Sequence, residues 1–138
     1  MAIKQISVSI ENVPGKLSEM NDYLEENGIN IIALSVIDTA DMSLIRFVAS
    51  DPEKAANVLR SRGYSFNMTD VLAVEAPSHP GGLKAVLKPL KEISANIKYF
   101  YMGLGMGEKS VYIMGVDKMV EAIQVLKNNW IQIYDQEQ

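Results

Sequence analysis

The sequence predicts an α+β protein built from two tandem βαββαβ modules. Three observations carry this: a self-match at an offset of 66 residues, apolar positions that alternate between period two and helical spacing, and turn residues between the resulting segments. Val8, Pro14, Gly15, Leu17, Leu24, Glu26, Asn30 and Ile31 recur without a gap as Val74, Pro80, Gly81, Leu83, Leu90, Glu92, Asn96 and Ile97. Chance would give about one or two such identities. The repeat divides the 138 residues into modules at 1–68 and 69–138.

In the first module, Ile6, Val8 and Ile10 alternate on one side of a strand over 3–10. The turn Asn12-Val13-Pro14-Gly15 leads into a helix whose stripe is Leu17, Met20 and Leu24, stopped near Gly28 by a left-handed glycine. A strand over 31–37, a polar turn over 38–41 and a strand over 44–49 follow. Asp51 then caps a helix with Pro52 at its first position, Gly63 closes it, and 64–66 forms a short last strand. Residues 67–70 are too few, and too poor in Gly and Ser, for a flexible linker.

The second module repeats the order. A strand over 71–76 precedes the turn over 78–82, a helix from Leu83 to Ile93 and a strand over 97–102. Then come a strand over 111–116, a helix over 118–126 capped by Asp117, and a strand over 130–134. Pro89 falls inside a helix, where it costs about 3 kcal/mol and favours a kink. The order is the ferredoxin-like split βαβ, an antiparallel sheet with helices on one face. Such sheets leave a bare face and exposed edges, so the modules are expected to pair side by side, and the chain to form a homodimer.

Composition narrows the function. Hydrophobic residues make up 48% and charged residues 22%, with a formal net charge of -4, so the chain is expected to bury a core. No Lys/Arg run suggests nucleic acid as a partner. The absence of cysteine excludes disulfides and thiolate chemistry. No signal-like start or membrane-length apolar run stands in the sequence, so no membrane partner and a cytoplasmic location are expected.

The residues Asn12-Val13-Pro14-Gly15-Lys16-Leu17 with Asn30-Ile31, and Ser78-His79-Pro80-Gly81-Gly82-Leu83 with Asn96-Ile97, resemble the ACT domain family over nearly the whole chain, twice. The resemblance implies a regulatory protein without catalytic activity or cofactor. It would bind a free amino acid where the Pro-Gly turn of one domain meets the second strand of its neighbour, and would act on a biosynthetic or amino-acid-metabolism enzyme in another chain. The ligand-binding residues expected on this basis are Asn12, Val13, Pro14, Gly15, Leu17, Asn30, Ile31, Ser78, His79, Gly81, Gly82, Leu83, Asn96 and Ile97. The physics of the turn agrees: glycine permits close backbone approach, and free amides at a helix N-terminus suit a carboxylate. Many family members carry an acidic residue where this chain has Asn12 and Ser78. An ammonium group there would depend on carbonyl oxygens, and the two copies are not expected to bind equally.

Other readings compete. An RNA-binding module shares the βαββαβ order but stacks bases on aromatics of its central strands, and here those strands offer only Phe47. A protein-interaction module without amino-acid ligand is the other alternative. No His dyad, metal cluster or phosphate loop supports an enzyme; His79 is the single histidine and is expected to face solvent. Gly103-Leu104-Gly105-Met106-Gly107 leads into a strand rather than a helix, which argues for a hairpin loop over a dinucleotide site. Tyr99 and Tyr101 share one side of their strand and are expected to pack there. The eight methionines are expected to fill the core.

Overall fold

The computed structural model describes residues 3–77, 79–103 and 109–134. Among these, the order is β1 (Ile3–Glu11), α1 (Lys16–Glu26), β2 (Ile31–Thr39), β3 (Met42–Ala49), α2 (Pro52–Ser61) and β4 (Phe66–Pro77). It continues with α3 (Gly82–Glu92), β5 (Ile97–Gly103), β6 (Lys109–Val116), α4 (Met119–Asn128) and β7 (Gln132–Ile133). The chain divides into two compact units, one spanning Lys4–Thr69 and the other holding the described residues from Asp70 onward.

In the first unit β3 lies between β1 and β2, antiparallel to both, and β1 also pairs with β4. Ile6, Val8 and Ile10 stand opposite Phe47, Ile45 and Ser43, so the period-two residues of both strands share a face. Met20 and Leu24 of α1 and Ala55, Val58 and Leu59 of α2 close over that face as one core. Each large aliphatic side chain buried there contributes about 1.5–3 kcal/mol. The second unit repeats the design. β6 lies between β4 and β5, β7 pairs with β4, and Leu72, Val74, Tyr112 and Met114 meet Val86 and Leu90 of α3 and Ala122 and Leu126 of α4.

The four helices among the described residues end alike. The residue after each C-cap has a positive φ: Gly28, Gly63, Ser94 and Trp130. Its amide bonds back to Glu25, Arg60, Lys91 and Lys127 respectively, while the next amide bonds to Leu24, Leu59, Leu90 and Leu126. This is the Schellman pattern, which satisfies carbonyls that the helix leaves open. The glycines at 28 and 63 were readable as stops.

Three expectations need correction. The separate strands at 64–66 and 71–76, with a joining segment between, are one continuous strand, β4. No Gly or Pro lies between Phe66 and Val71 to break an extended run, and Tyr64 closes α2 instead. The expected cap of the last helix is displaced: Lys118 is the N-cap of α4, without a side-chain cap, and Asp117 accepts from Asn96. Trp130 stands outside the last strand, which is only Gln132–Ile133, because it takes the left-handed stop of α4. Asp51 does cap α2, accepting from the Lys54 amide at 3.1 Å. α3 remains helical through Pro89, which is buried.

Candidate ligand-binding site

The two Pro-Gly turns have the same backbone. In the first, the Lys16 amide donates to the Val13 carbonyl at 3.4 Å and the Glu19 amide to Gly15 at 2.9 Å; in the second, Gly82 donates to His79 at 3.0 Å and Ala85 to Gly81 at 3.1 Å. Gly15 and Gly81 are the N-cap residues, at φ of 88° and 94°. That region is costly for residues with a Cβ, and no heavy atom lies within 4 Å of where a Cβ would project from either glycine. Neither helix has a side-chain cap; the first amide of each, Lys16 and Gly82, bonds back into the turn, and the positive end of the helix dipole lies behind the amides that follow. α1 carries Glu19 in its first turn, whereas α3 has no acidic residue there. The second turn is therefore the more favourable of the two for an anion.

Gly82 has a different reason. A Cβ there would lie 1.9 Å from the Pro77 carbonyl oxygen, so glycine is required for packing. Leu17 and Ile31 pack against the first core and Ile97 against the second, while Val13 and Leu83 are exposed. His79 is exposed, with Nδ1 2.8 Å from the Pro80 carbonyl, as an Nδ1–H tautomer donating to it. Ser78 and residues 104–107 lie outside the described residues.

Asn30 and Asn96 are held identically by their main chains. The Asn30 amide donates to Ser50 Oγ at 3.0 Å and its carbonyl accepts from the Ser50 amide at 2.8 Å. The Asn96 amide donates to Asp117 Oδ1 at 2.8 Å and its carbonyl accepts from the Asp117 amide at 3.2 Å. Both residues are exposed, and among the described residues their side-chain amides have no partner. Just beyond each, the ladder slips by one residue, between Ile31 and Ala33 and between Ile97 and Tyr99. A bulge at this place bends the strand and redirects its side chains.

Within a module the turn and the asparagine do not meet. Asn12 docks on the β2–β3 hairpin, donating to Asp38 Oδ1 at 2.7 Å and to the Ala40 carbonyl at 3.0 Å. Asn30 stands at the opposite end of β2, about 26 Å away at about 3.3 Å per residue. Sequence reasoning missed Asp38, which brings a carboxylate to a turn that has none of its own. Only its place in a polar turn signalled it. Phe47 is fully buried toward the helices and offers no stacking platform. Among the described residues no group of three or more His, Cys, Asp or Glu is placed to hold a metal, and no helix is long and apolar enough to cross a membrane.

No curated protein matches the chain in sequence. Among solved structures, the chain is similar to protein BT0572 from Bacteroides thetaiotaomicron, with 31% identity and a TM-score of 0.91 over 97% of this chain and 92% of that one. It shares its fold with the regulatory subunit of aspartate kinase from Thermus thermophilus, at 16% identity and a TM-score of 0.68, covering 91% of each chain. The aspartate kinase of Clostridium acetobutylicum is a more distant likeness, at 12% identity and a TM-score of 0.51 over 93% of this chain and 33% of that one. The family model for an ACT domain pair matches residues 1–138. With two βαββαβ modules, each opening its first helix on a Pro-Gly turn, the chain belongs to the ACT domain family.

Proposed function

We propose that the chain is a regulatory protein that binds a free amino acid and modulates a partner enzyme of amino-acid metabolism. The observation that carries this is the duplicated helix N-terminus without a side-chain cap behind Gly15 and Gly81, whose amides beyond the first suit a carboxylate. The ligand would lie where the turn of one module meets the start of the second strand of another. Asn30 or Asn96 would supply a donor and an acceptor there. Where Asn12 forms the turn, Asp38 supplies the negative charge that an ammonium group needs. Membership in the ACT family supports the reading. So does the fold shared with a chain described as the regulatory subunit of aspartate kinase, which is matched over 91% of its length. A homodimer, side-by-side pairing of modules, boundaries at 1–68 and 69–138 and a cytoplasmic location complete the proposal.

The test is a thermal-shift screen against the twenty amino acids with the wild-type chain and the Asn30→Ala and Asn96→Ala variants. Stabilisation by one or a few amino acids, diminished in either variant, is the expected result, since a ligand selective for the folded state raises Tm by mass action. Both substitutions leave the main-chain bonds to Ser50 and Asp117 in place. A uniformly flat screen would overturn the reading and favour a protein-interaction module.

A further inference from the structure

The first helix of each module turns a charged face to solvent, and the two faces have opposite sign. α1 carries the carboxylates of Glu19, Asp22, Glu25 and Glu26 against the single cation of Lys16, whereas α3 carries Lys84, Lys88 and Lys91 against the single carboxylate of Glu92. At the repeat offset of 66, Asp22 corresponds to Lys88 and Glu25 to Lys91, so the sign reverses at equivalent positions of one fold. The fold itself therefore requires neither sign. Glu19, Asp22, Glu26, Lys84, Lys88 and Lys91 are all exposed. Among the described residues the side chains of Asp22, Glu26, Lys84, Lys88 and Lys91 have no hydrogen bond or ion pair, and Glu19 takes only the Tyr23 hydroxyl at 3.0 Å and a 3.9 Å approach of Lys16 Nζ.

Two of these charges stand against their own helix. Glu26 is the last residue of α1, at the negative end of the helix dipole, and Lys84 lies in the first turn of α3, at the positive end. Neither is placed to stabilise the helix that carries it. An antiparallel neighbour removes the conflict: where the end of α1 lies beside the start of α3, the two charges meet each other and the dipoles run in opposite directions. In that orientation the spacings coincide. Glu19, Asp22 and Glu26 follow one another by steps of three and four along one helical face, and Lys91, Lys88 and Lys84, read in reverse, make the same steps. A single register thus sets Glu19 beside Lys91, Asp22 beside Lys88 and Glu26 beside Lys84.

We propose that these faces form an interface between two copies of this chain, with α1 of one lying antiparallel on α3 of the other. A two-fold axis makes the contact twice, since the same patches meet reciprocally. Exposed ion pairs are individually weak, so the charges act chiefly on orientation and choice of partner. α1 against α1, or α3 against α3, would bring like charges together, which excludes the pairings that two similar modules invite. The inference deepens the homodimer of the proposed function, on which it rests, and needs no ligand.

The experiment is sedimentation equilibrium of the full chain, as wild type, with Asp22→Lys, with Lys88→Glu and with both substitutions together. The wild-type chain is expected to dimerise, less tightly in about 0.5 M salt, where exposed charges are screened. Each single substitution sets like charges opposite one another and should raise the dissociation constant at least about tenfold, while the double substitution should restore it. An equimolar mixture of the two single variants should also dimerise as the wild type does, because each supplies the face that the other has lost; only a contact between copies gives that result. Glu26→Lys and Lys84→Glu form an equivalent pair should either variant fold poorly. Single variants that dimerise as tightly as wild type, or a mixture no tighter than its components, would overturn these faces and leave the homodimer standing. A wild-type chain that stays monomeric at every concentration would overturn both.

Discussion

Asn12 and Asp38 are joined by a 2.7 Å hydrogen bond from Asn12 Nδ2 to Asp38 Oδ1, which fastens the Pro-Gly turn to the β2–β3 hairpin. A carboxylate at position 12 would face this one at contact distance. Asn12→Asp is expected to lower Tm at pH 7 by more than Asn12→Ala, which loses only exposed hydrogen bonds worth about 1 kcal/mol. The repulsion raises the folded-state pKa values of the pair. Its penalty is thus present at neutral pH and disappears as pH falls below about 4, the unfolded carboxylate value. Melting curves of the two variants should converge in acid; a gap that does not narrow would show that the two carboxylates do not interact.

Tyr134 donates its hydroxyl to Glu75 Oε2 beside the short β4–β7 pair. That hydrogen bond, with a smaller contribution from burial, pushes the phenol up to about 12 from 10.0. A raised folded-state value means the contribution is complete below pH 10.0 and is lost as pH rises through about 12. Tyr134→Phe should therefore cost at most about 1 kcal/mol at pH 7 and flatten the alkaline fall in Tm. A wild-type curve with the same alkaline slope as the variant would exclude the linkage.

The elements legible in the sequence were those whose signals are local. The alternation of Ile6, Val8 and Ile10, the stripe of Met20 and Leu24, the Asp51 cap and the stops at Gly28 and Gly63 each depend on neighbours within a few residues, and all appear in the structure. What escaped depends on a change of spacing. Asn30 and Asn96 match at an offset of 66, but Ser50 and Asp117, which clamp them, match at 67. Asp117 thus corresponds to Ser50 rather than to the capping Asp51. The pairing of Asp38 with Asn12 crosses 26 positions and has no periodic signature.

Trp130 illustrates the same limit and gives a third prediction. A left-handed φ of 63° is unfavourable by about 1–2 kcal/mol for a residue with a side chain, and Trp130 is 95% exposed, so little packing compensates. Ser94, at φ 56°, is strained in the same way. Replacing either with glycine, which already stands at the equivalent positions 63 and 28, should stabilise the chain by about 1 kcal/mol after the entropic cost of glycine. Chemical denaturation would measure this. A loss of stability in Trp130→Gly would show that the indole makes a contact the monomer does not display.

Gly82 and Gly115 both lack room for a methyl group, yet substitution should affect them differently. A Cβ at 82 would stand 1.9 Å from the carbonyl oxygen of Pro77, part of the backbone that ends β4. A Cβ at 115 would stand 2.3 Å from Cζ of the Tyr99 ring, which lies across it from β5. Backbone can yield only by distorting the strand and the helix start together, whereas a ring can rotate away. Overpacking typically costs about 1–3 kcal/mol, and Gly82→Ala should fall at or above the upper end with Gly115→Ala toward the lower. Urea melts of the two variants decide the order. If Gly115→Ala proves the more damaging, the Tyr99 ring is held in place as firmly as backbone, and the packing of the β5–β6 pair is less adaptable than that of the α3 turn.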